Sequence, residues 1–220
     1  LVGNAPLKLI GEDPFLSRTK LLAVSWDGVD GGRRKHLAEY NDGFMEDGRR
    51  LLKGDEGQIN ALVNRIRRNP KSCAAINYMA STNGFTLMDM VSYDRKHNEA
   101  NGENGRDGSD SNYSWNCGVE GPTRKKKIME MRKKQIRNAL MLVFLSQGTP
   151  LLLAGDEFGN SQGGNNNAYC QDNETSWLNW NLVKTNGDIH DFVKFLIRFR
   201  KAHPMFHMSG EPKVMDYKVC

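Results

Sequence analysis

The chain has 220 residues, 38% of them hydrophobic and 26% charged, which suits one globular domain with a sizeable core or part of a larger one. No apolar run approaches the roughly 18 residues of a membrane span, and no basic start leads into an apolar stretch in the manner of a signal peptide. The net charge of +5 gathers at Arg33-Arg34-Lys35, Arg65 to Arg68 and Arg124 to Lys127; with no recognition motif beside them, these clusters read as solvated faces rather than as a nucleic-acid surface.

In chain order, Lys20 to Trp26 (KLLAVSW) is strand-like. Asp55 to Arg67 places Ile59, Leu62, Val63 and Ile66 at helical spacing, with an acidic first turn, a basic end and Asn69-Pro70 as a stop. Ala74 to Met79 has the length and apolar character of a buried strand, and it ends in the small polar run Ser81-Thr82-Asn83-Gly84. Lys125 to Gln147 is the longest helix, with Ile128, Ile136, Ala139, Leu140 and Val143 among its apolar positions and Gly148 and Pro150 at its end. Leu151 to Ala154 reads as a third strand, running into Gly155-Asp156-Glu157-Phe158-Gly159. Ile189 to His203 is a last helix closed by Pro204. Strands alternating with helices imply an α/β fold with a parallel sheet and right-handed crossovers. Buried parallel strands that stop in polar side chains present chemistry at one face.

Two loops, Asn98 to Gly121 and Gly155 to Trp180, are too long and too polar to be mere connectors. Their Tyr113, Trp115, Tyr169, Trp177 and Trp180 argue against disorder. Amides, short carboxylates and flat aromatics suit a sugar, whose hydroxyls need donors and acceptors and whose ring faces stack on aromatics. Any one of these side chains reads more simply as a staple between loop and sheet; taken together they suggest a sugar-facing rim. The cysteines Cys73, Cys117, Cys170 and Cys220 form no C-x-x-C pair, so a structural zinc is not indicated. Cys73, leading into a strand, reads as a reduced, buried thiol. His36, His190, His203 and His207 show no ligand spacing, and neither a metal nor a cofactor is expected. A reducing, cytoplasmic setting fits, and a chain that opens on Leu1 and stops on Cys220 suits a fragment.

The runs GFTLMDMVSYDRKHNEANGENGRDG, NYSWNCGVEG, LSQGTPLLLAGDEFGNSQGGNNNAYCQDN and WLNW, with DPFLSRTKLLAVSWD over Asp13 to Asp27 and KGDEGQ over Lys53 to Gln58, resemble the glycogen-debranching and isoamylase branch of the α-amylase superfamily. The resemblance covers nearly the whole chain. It implies a (β/α)8 TIM barrel that hydrolyses α-1,6 branch points of glycogen, starch or branched maltodextrin with retention. This chain then corresponds to the C-terminal half of the barrel, strands five to eight with their helices over residues 1–207, and to the start of a following β-domain over 208–220. The weak sixth strand is expected near Phe44 to Leu52. A half barrel leaves strand edges unpaired and needs its N-terminal half or an oligomeric partner.

Retention requires a nucleophilic carboxylate and a carboxylic acid roughly 5–5.5 Å apart. The family's nucleophile lies on the fourth strand, ahead of Leu1. The resemblance puts the general acid of an A-E-P-W-D pattern at Val24 of Ala23-Val24-Ser25-Trp26-Asp27. It puts the His and the charge-stabilising Asp of H-D-G-F-T-L at Thr82 and Asn83. None of the three can do the family's work, and losing an acid–base group alone costs about 10²–10⁴-fold. Asp27, Asp156 and Glu157 are poor replacements: Asp27 accompanies the acid in the family pattern too, and the Asp156-Glu157 side chains diverge and are expected to bond to loop backbone. Asp89 and Asp94 read as solvated or capping, and His97 as a structural loop residue. The implied substrate-binding residues are Trp26, Asp27, Asn83, Trp115 and Tyr169. Two readings follow, a segment of a debranching hydrolase or a non-catalytic α-glucan-binding homologue.

Overall fold

The computed structural model describes residues 9–10, 12–26, 36–70 and 73–212. Asp27, Arg33-Arg34-Lys35 and the last eight residues, including Cys220, lie outside the described residues. Residues 208–212 of the expected β-domain form no strand.

Four strands, β1 (Leu21–Ala23), β2 (Leu37–Tyr40), β3 (Ala74–Asn77) and β4 (Thr149–Pro150), form one sheet in the order β1-β2-β3-β4. All three pairings are parallel, with Leu21 opposite Leu37, Ala38 opposite Ala74 and Ile76 opposite Thr149. The expected α/β class with a parallel sheet is what the chain adopts. β1 and β3 fall inside the segments read as strands. β4 lies two residues upstream of Leu151 to Ala154: the ladder ends at Pro150, and only the Leu151 N–H still reaches the Asn77 carbonyl, at 2.8 Å.

The strand expected near Phe44 to Leu52 is corrected: that segment lies within helix α1 (Asp42–Lys53), and a four-residue strand, Leu37–Tyr40, stands just before it. Glu39 makes that strand hard to see, because its carboxylate is buried where a strand should be apolar, paired with Arg68 from the end of the next helix. Gly43 and Gly48 argue against a helix on propensity alone. Gly48 is there for contact, since a Cβ at that position would sit 2.3 Å from Met79 Cε. Helix α2 (Gln58–Arg67) starts three residues later than expected, because Asp55 belongs to the end of α1. The Asp55 N–H bonds the Arg50 carbonyl at 2.9 Å, and its carboxylate faces Lys53.

A single turn, α3 (Leu87–Met90), follows β3 and is capped by Thr86, whose Oγ1 accepts the Asp89 N–H at 3.1 Å. Helix α4 (Lys126–Leu145) turns Ile136, Ala139, Leu140 and Val143 into the main core, with Phe44, Met79, Phe85 and Leu87. After the short α5 (Leu182–Thr185), helix α6 (Gly187–Ala202) lays Ile189, Val193 and Leu196 against the same core. Its Arg200 guanidinium donates to the carbonyls of Phe144, Ser146 and Gly148 at 2.6–2.7 Å, satisfying the C-terminal end of α4. The turn into β4 requires Gly148, which has φ of +81°; a Cβ there would stand 2.6 Å from the Ala75 carbonyl oxygen. Cys73 is buried, as expected. No described helix is long and apolar enough to cross a membrane.

Candidate functional site

Because the sheet is parallel, all four strands deliver their following residues to one end. There they surround a cavity of about 680 Å³ lined by Val24 after β1, Tyr40 at the end of β2 and Asp42 after it, Tyr78 and Ser81 to Asn83 after β3, and Leu151 to Ala154 after β4. Val24, Thr82 and Asn83, far apart in sequence, share this wall. Val24 is 73% exposed, which is unusual for a β-branched apolar residue. Thr82 and Asn83 are also exposed, and among the described residues neither side chain has a hydrogen-bond partner.

Sequence reasoning missed two residues of this wall, Asp42 and Glu46. They stand four apart on the first turns of α1 and so share a helix face that points into the cavity. The spacing was legible, but with the segment read as a strand it carried no meaning. Asp42 Oδ1 accepts the Tyr78 hydroxyl at 2.6 Å. Burial and then this bond push the Tyr78 phenol above its ordinary value, so it stays protonated and donates.

Of the other expected binding residues, the three that are described, Trp26, Trp115 and Tyr169, do not gather here. Trp26 is buried beneath the sheet with Leu37 and Cys73, and its indole N–H donates to the Ala38 carbonyl at 2.8 Å. Trp115 packs against the main core. Tyr169 is exposed on the second long loop, where its hydroxyl donates to Glu103 at 2.7 Å.

Beneath the cavity floor lies a buried charged group. Arg49, on α1, donates to the carbonyls of Met79 and Phe85, on either side of the Thr82-Asn83 arch, and to that of Asn112 in the first long loop. Glu157 accepts the Gly155 N–H at 2.8 Å, loop backbone as expected, whereas Asp156 accepts the N–H of Leu87 at the start of α3, also at 2.8 Å. Burial pushes the Asp156 carboxyl up to about 8 and the Arg49 guanidinium down to about 10, each effect moderated by the other's charge. Asp89 corrects an expectation: it is fully buried rather than solvated. Its carboxylate accepts the Ser161 hydroxyl and the Gln162 N–H at 2.5 and 2.8 Å, and burial raises its pKa. Asp94 does act as a cap, accepting the Asn116 N–H at 2.8 Å. His97 holds its loop through Glu120 and the Tyr93 ring.

The two long loops turn their amides on each other. Asn166 donates to the Ser109 carbonyl and to Asn112 Oδ1, both at 2.7 Å, and accepts from Asn98 at 2.9 Å. Asn101 and Asn167 donate to Asp107 Oδ2 at 2.7 and 3.0 Å, and the Asn101 bond foremost holds that carboxyl below its ordinary pKa.

No family model matches the chain. Over an alignment of 226 positions that covers 95% of its length, it is 40% identical to the glycogen operon protein GlgX homolog of Mycobacterium tuberculosis, covering 31% of that protein. It is 44% identical to the glycogen debranching enzyme of Serratia proteamaculans, over 91% of this chain and 32% of the relative. It is 37% identical to the chloroplastic isoamylase 3 of Oryza sativa, over 90% of this chain and 27% of the relative. The chain thus spans about a third of the length of the curated relatives it matches. Among solved structures, pullulanase from Bacillus acidopullulyticus superposes with a TM-score of 0.58 at 23% identity, over 79% of this chain and 20% of that one. A mutant pullulanase from Paenibacillus barengoltzii, complexed with maltotetraose, gives 0.58 at 23%, over 80% and 26%.

Proposed function

From the premise that this chain is a member of the glycogen-debranching and isoamylase branch of the α-amylase superfamily, we propose that it forms the α-glucan-binding C-terminal half of a (β/α)8 barrel, supplying contacts but not cleavage chemistry. The four parallel strands correspond in this reading to strands five to eight, and the cavity at their ends is the part of the substrate cleft this chain contributes. The observation that carries the reading is the convergence of Val24, Thr82 and Asn83 on that one cavity.

The chemistry follows from what each group can do. Val24 offers neither a proton nor a lone pair where the family pattern has its acid. Asn83 can donate to and accept from sugar hydroxyls, but it brings no negative charge to a developing oxocarbenium ion. The Tyr78 phenol spends its one proton on Asp42, so it meets a sugar hydroxyl as an acceptor and is a poor acid. Asp42 and Glu46 present acceptors to the hydroxyls of the same sugar. Water-soluble, hydroxyl-rich ligands are held by such alternating donors and acceptors along a wall that also has apolar surface, here Leu151 to Leu153.

The full-length protein is expected to bind maltooligosaccharides and to release no linear chains from a branched glucan above background. Release at the pace of an acid-competent debranching enzyme would overturn the non-cleaving part of this reading. The double substitution Val24→Glu with Asn83→Asp tests whether the rest of the cleft is intact. A gain in chain release means the missing groups alone silence it; no gain in a folded double variant means the cleft has diverged toward binding.

A further inference from the structure

Beside the main cavity lies a second one of about 140 Å³. The two share Glu46, Tyr78, Ser81 and Asn83, so the smaller opens from the larger along the arch that carries Asn83. Its far wall belongs to the first long loop: Ser109, Ser111, Asn112 and Tyr113.

Tyr113 has φ of +49°, in the left-handed region that disfavours side chains with a Cβ. A bulky residue held there costs about 1–3 kcal/mol and persists only where the surroundings enforce it. They do so from several directions. The Arg50 guanidinium carbon lies 4.6 Å from the ring centroid, covering one face of the ring. The preceding residue, Asn112, is fixed by Arg49 on its carbonyl at 2.9 Å and by Asn166 on its Oδ1 at 2.7 Å. Tyr113 is therefore held, against its own backbone preference, at the wall of a polar recess of about 140 Å³. A pre-fixed aromatic loses little side-chain entropy on binding and presents an apolar plate, while the serines, Asn83 and Glu46 supply partners for hydroxyls.

We propose that this side cavity is a subsite for one glucosyl unit of an α-glucan, with Tyr113 as the stacking platform that sets how many sugars the cleft counts. The subsite rests on the glucan-binding reading of the main cavity. Its test is calorimetric titration of the full-length protein with linear maltooligosaccharides from maltotriose to maltoheptaose. Affinity should rise by about tenfold at the length that places a ring against Tyr113, the scale of an aromatic anchor at an interface. Tyr113→Gly removes the ring and relieves the backbone, so the melting temperature should hold or rise while the length step disappears. Tyr113→Asn, which also tolerates this φ, should repeat the loss, and Tyr113→Phe should keep the step. A wild-type protein that binds no maltooligosaccharide defeats the glucan reading and the subsite with it. A wild-type protein that binds without a length step, or glycine and asparagine variants that keep the step, overturn the subsite alone.

Discussion

Two polar regions of this molecule use the same side chains to opposite ends. Between the long loops, Asn98, Asn101, Asn112, Asn166 and Asn167 meet each other, Asp107 and backbone carbonyls, and their hydrogen-bonding capacity is largely consumed. At the strand ends, the Thr82 and Asn83 side chains face an open cavity with no hydrogen-bond partner among the described residues. A buried, satisfied amide holds structure together, and an exposed, unsatisfied one is available to a ligand. The sugar-like composition of the long loops is therefore mostly stapling, and the amides left open to a ligand are few. Arg49 connects the two regions, because one guanidinium grips both sides of the Asn83 arch and the loop carrying Asn112.

The largest break in this contrast is expected from Arg49→Met. It leaves the buried Met79, Phe85 and Asn112 carbonyls without their donor. Leaving buried acceptors unmet costs about 1–3 kcal/mol each, read as a lowered urea midpoint. Both regions should fail together, because the arch and the loop share this one anchor.

Asp156 gives the next effect. Its folded pKa of about 8 lies far above that of an unfolded Asp. Between about pH 4 and pH 8 the folded protein thus retains a proton that the unfolded chain has released. Stability should fall as pH rises through that window and level off above it, an effect on the order of a few kcal/mol. Asp156→Asn keeps an acceptor for the Leu87 N–H and should flatten the profile. An unchanged slope in that variant would move the titration to another group.

Much of the fold was legible because helical spacing and short apolar strands are local signals: α2, α4, α6, β1 and β3 all stand close to where the residues place them. What was not legible depends on partners distant in the chain. β2 hides a buried Glu39 whose charge is met only by Arg68, and α1 carries a helix-weakening Gly48 that makes room for Met79. Asp89 reads as solvated or capping until Ser161 and Gln162 fold back over it, and Trp26 is implied as a binding residue until its N–H finds Ala38. At the site, Val24, Thr82 and Asn83 were found because a motif marks them. Asp42 and Glu46 were missed because they become neighbours of Asn83 only through the fold.

Two asparagines test the contrast directly. Asn166→Ala should destabilise the protein by about 2 kcal/mol, since it strips partners from Asn98, Asn112 and the Ser109 carbonyl inside a buried network. Asn83→Ala removes an amide of the same size, but from an exposed arch where it bonds to nothing. Its effect on stability should stay within about 0.5 kcal/mol, while affinity for maltooligosaccharides drops. Measured by urea unfolding and calorimetric titration on the same two variants, the pair should separate cleanly, Asn166 in stability and Asn83 in binding. Should Asn83→Ala instead unfold the arch and leave binding intact in the folded fraction, its amide would be one more staple, and recognition would pass to Asp42 and Glu46 across the cavity.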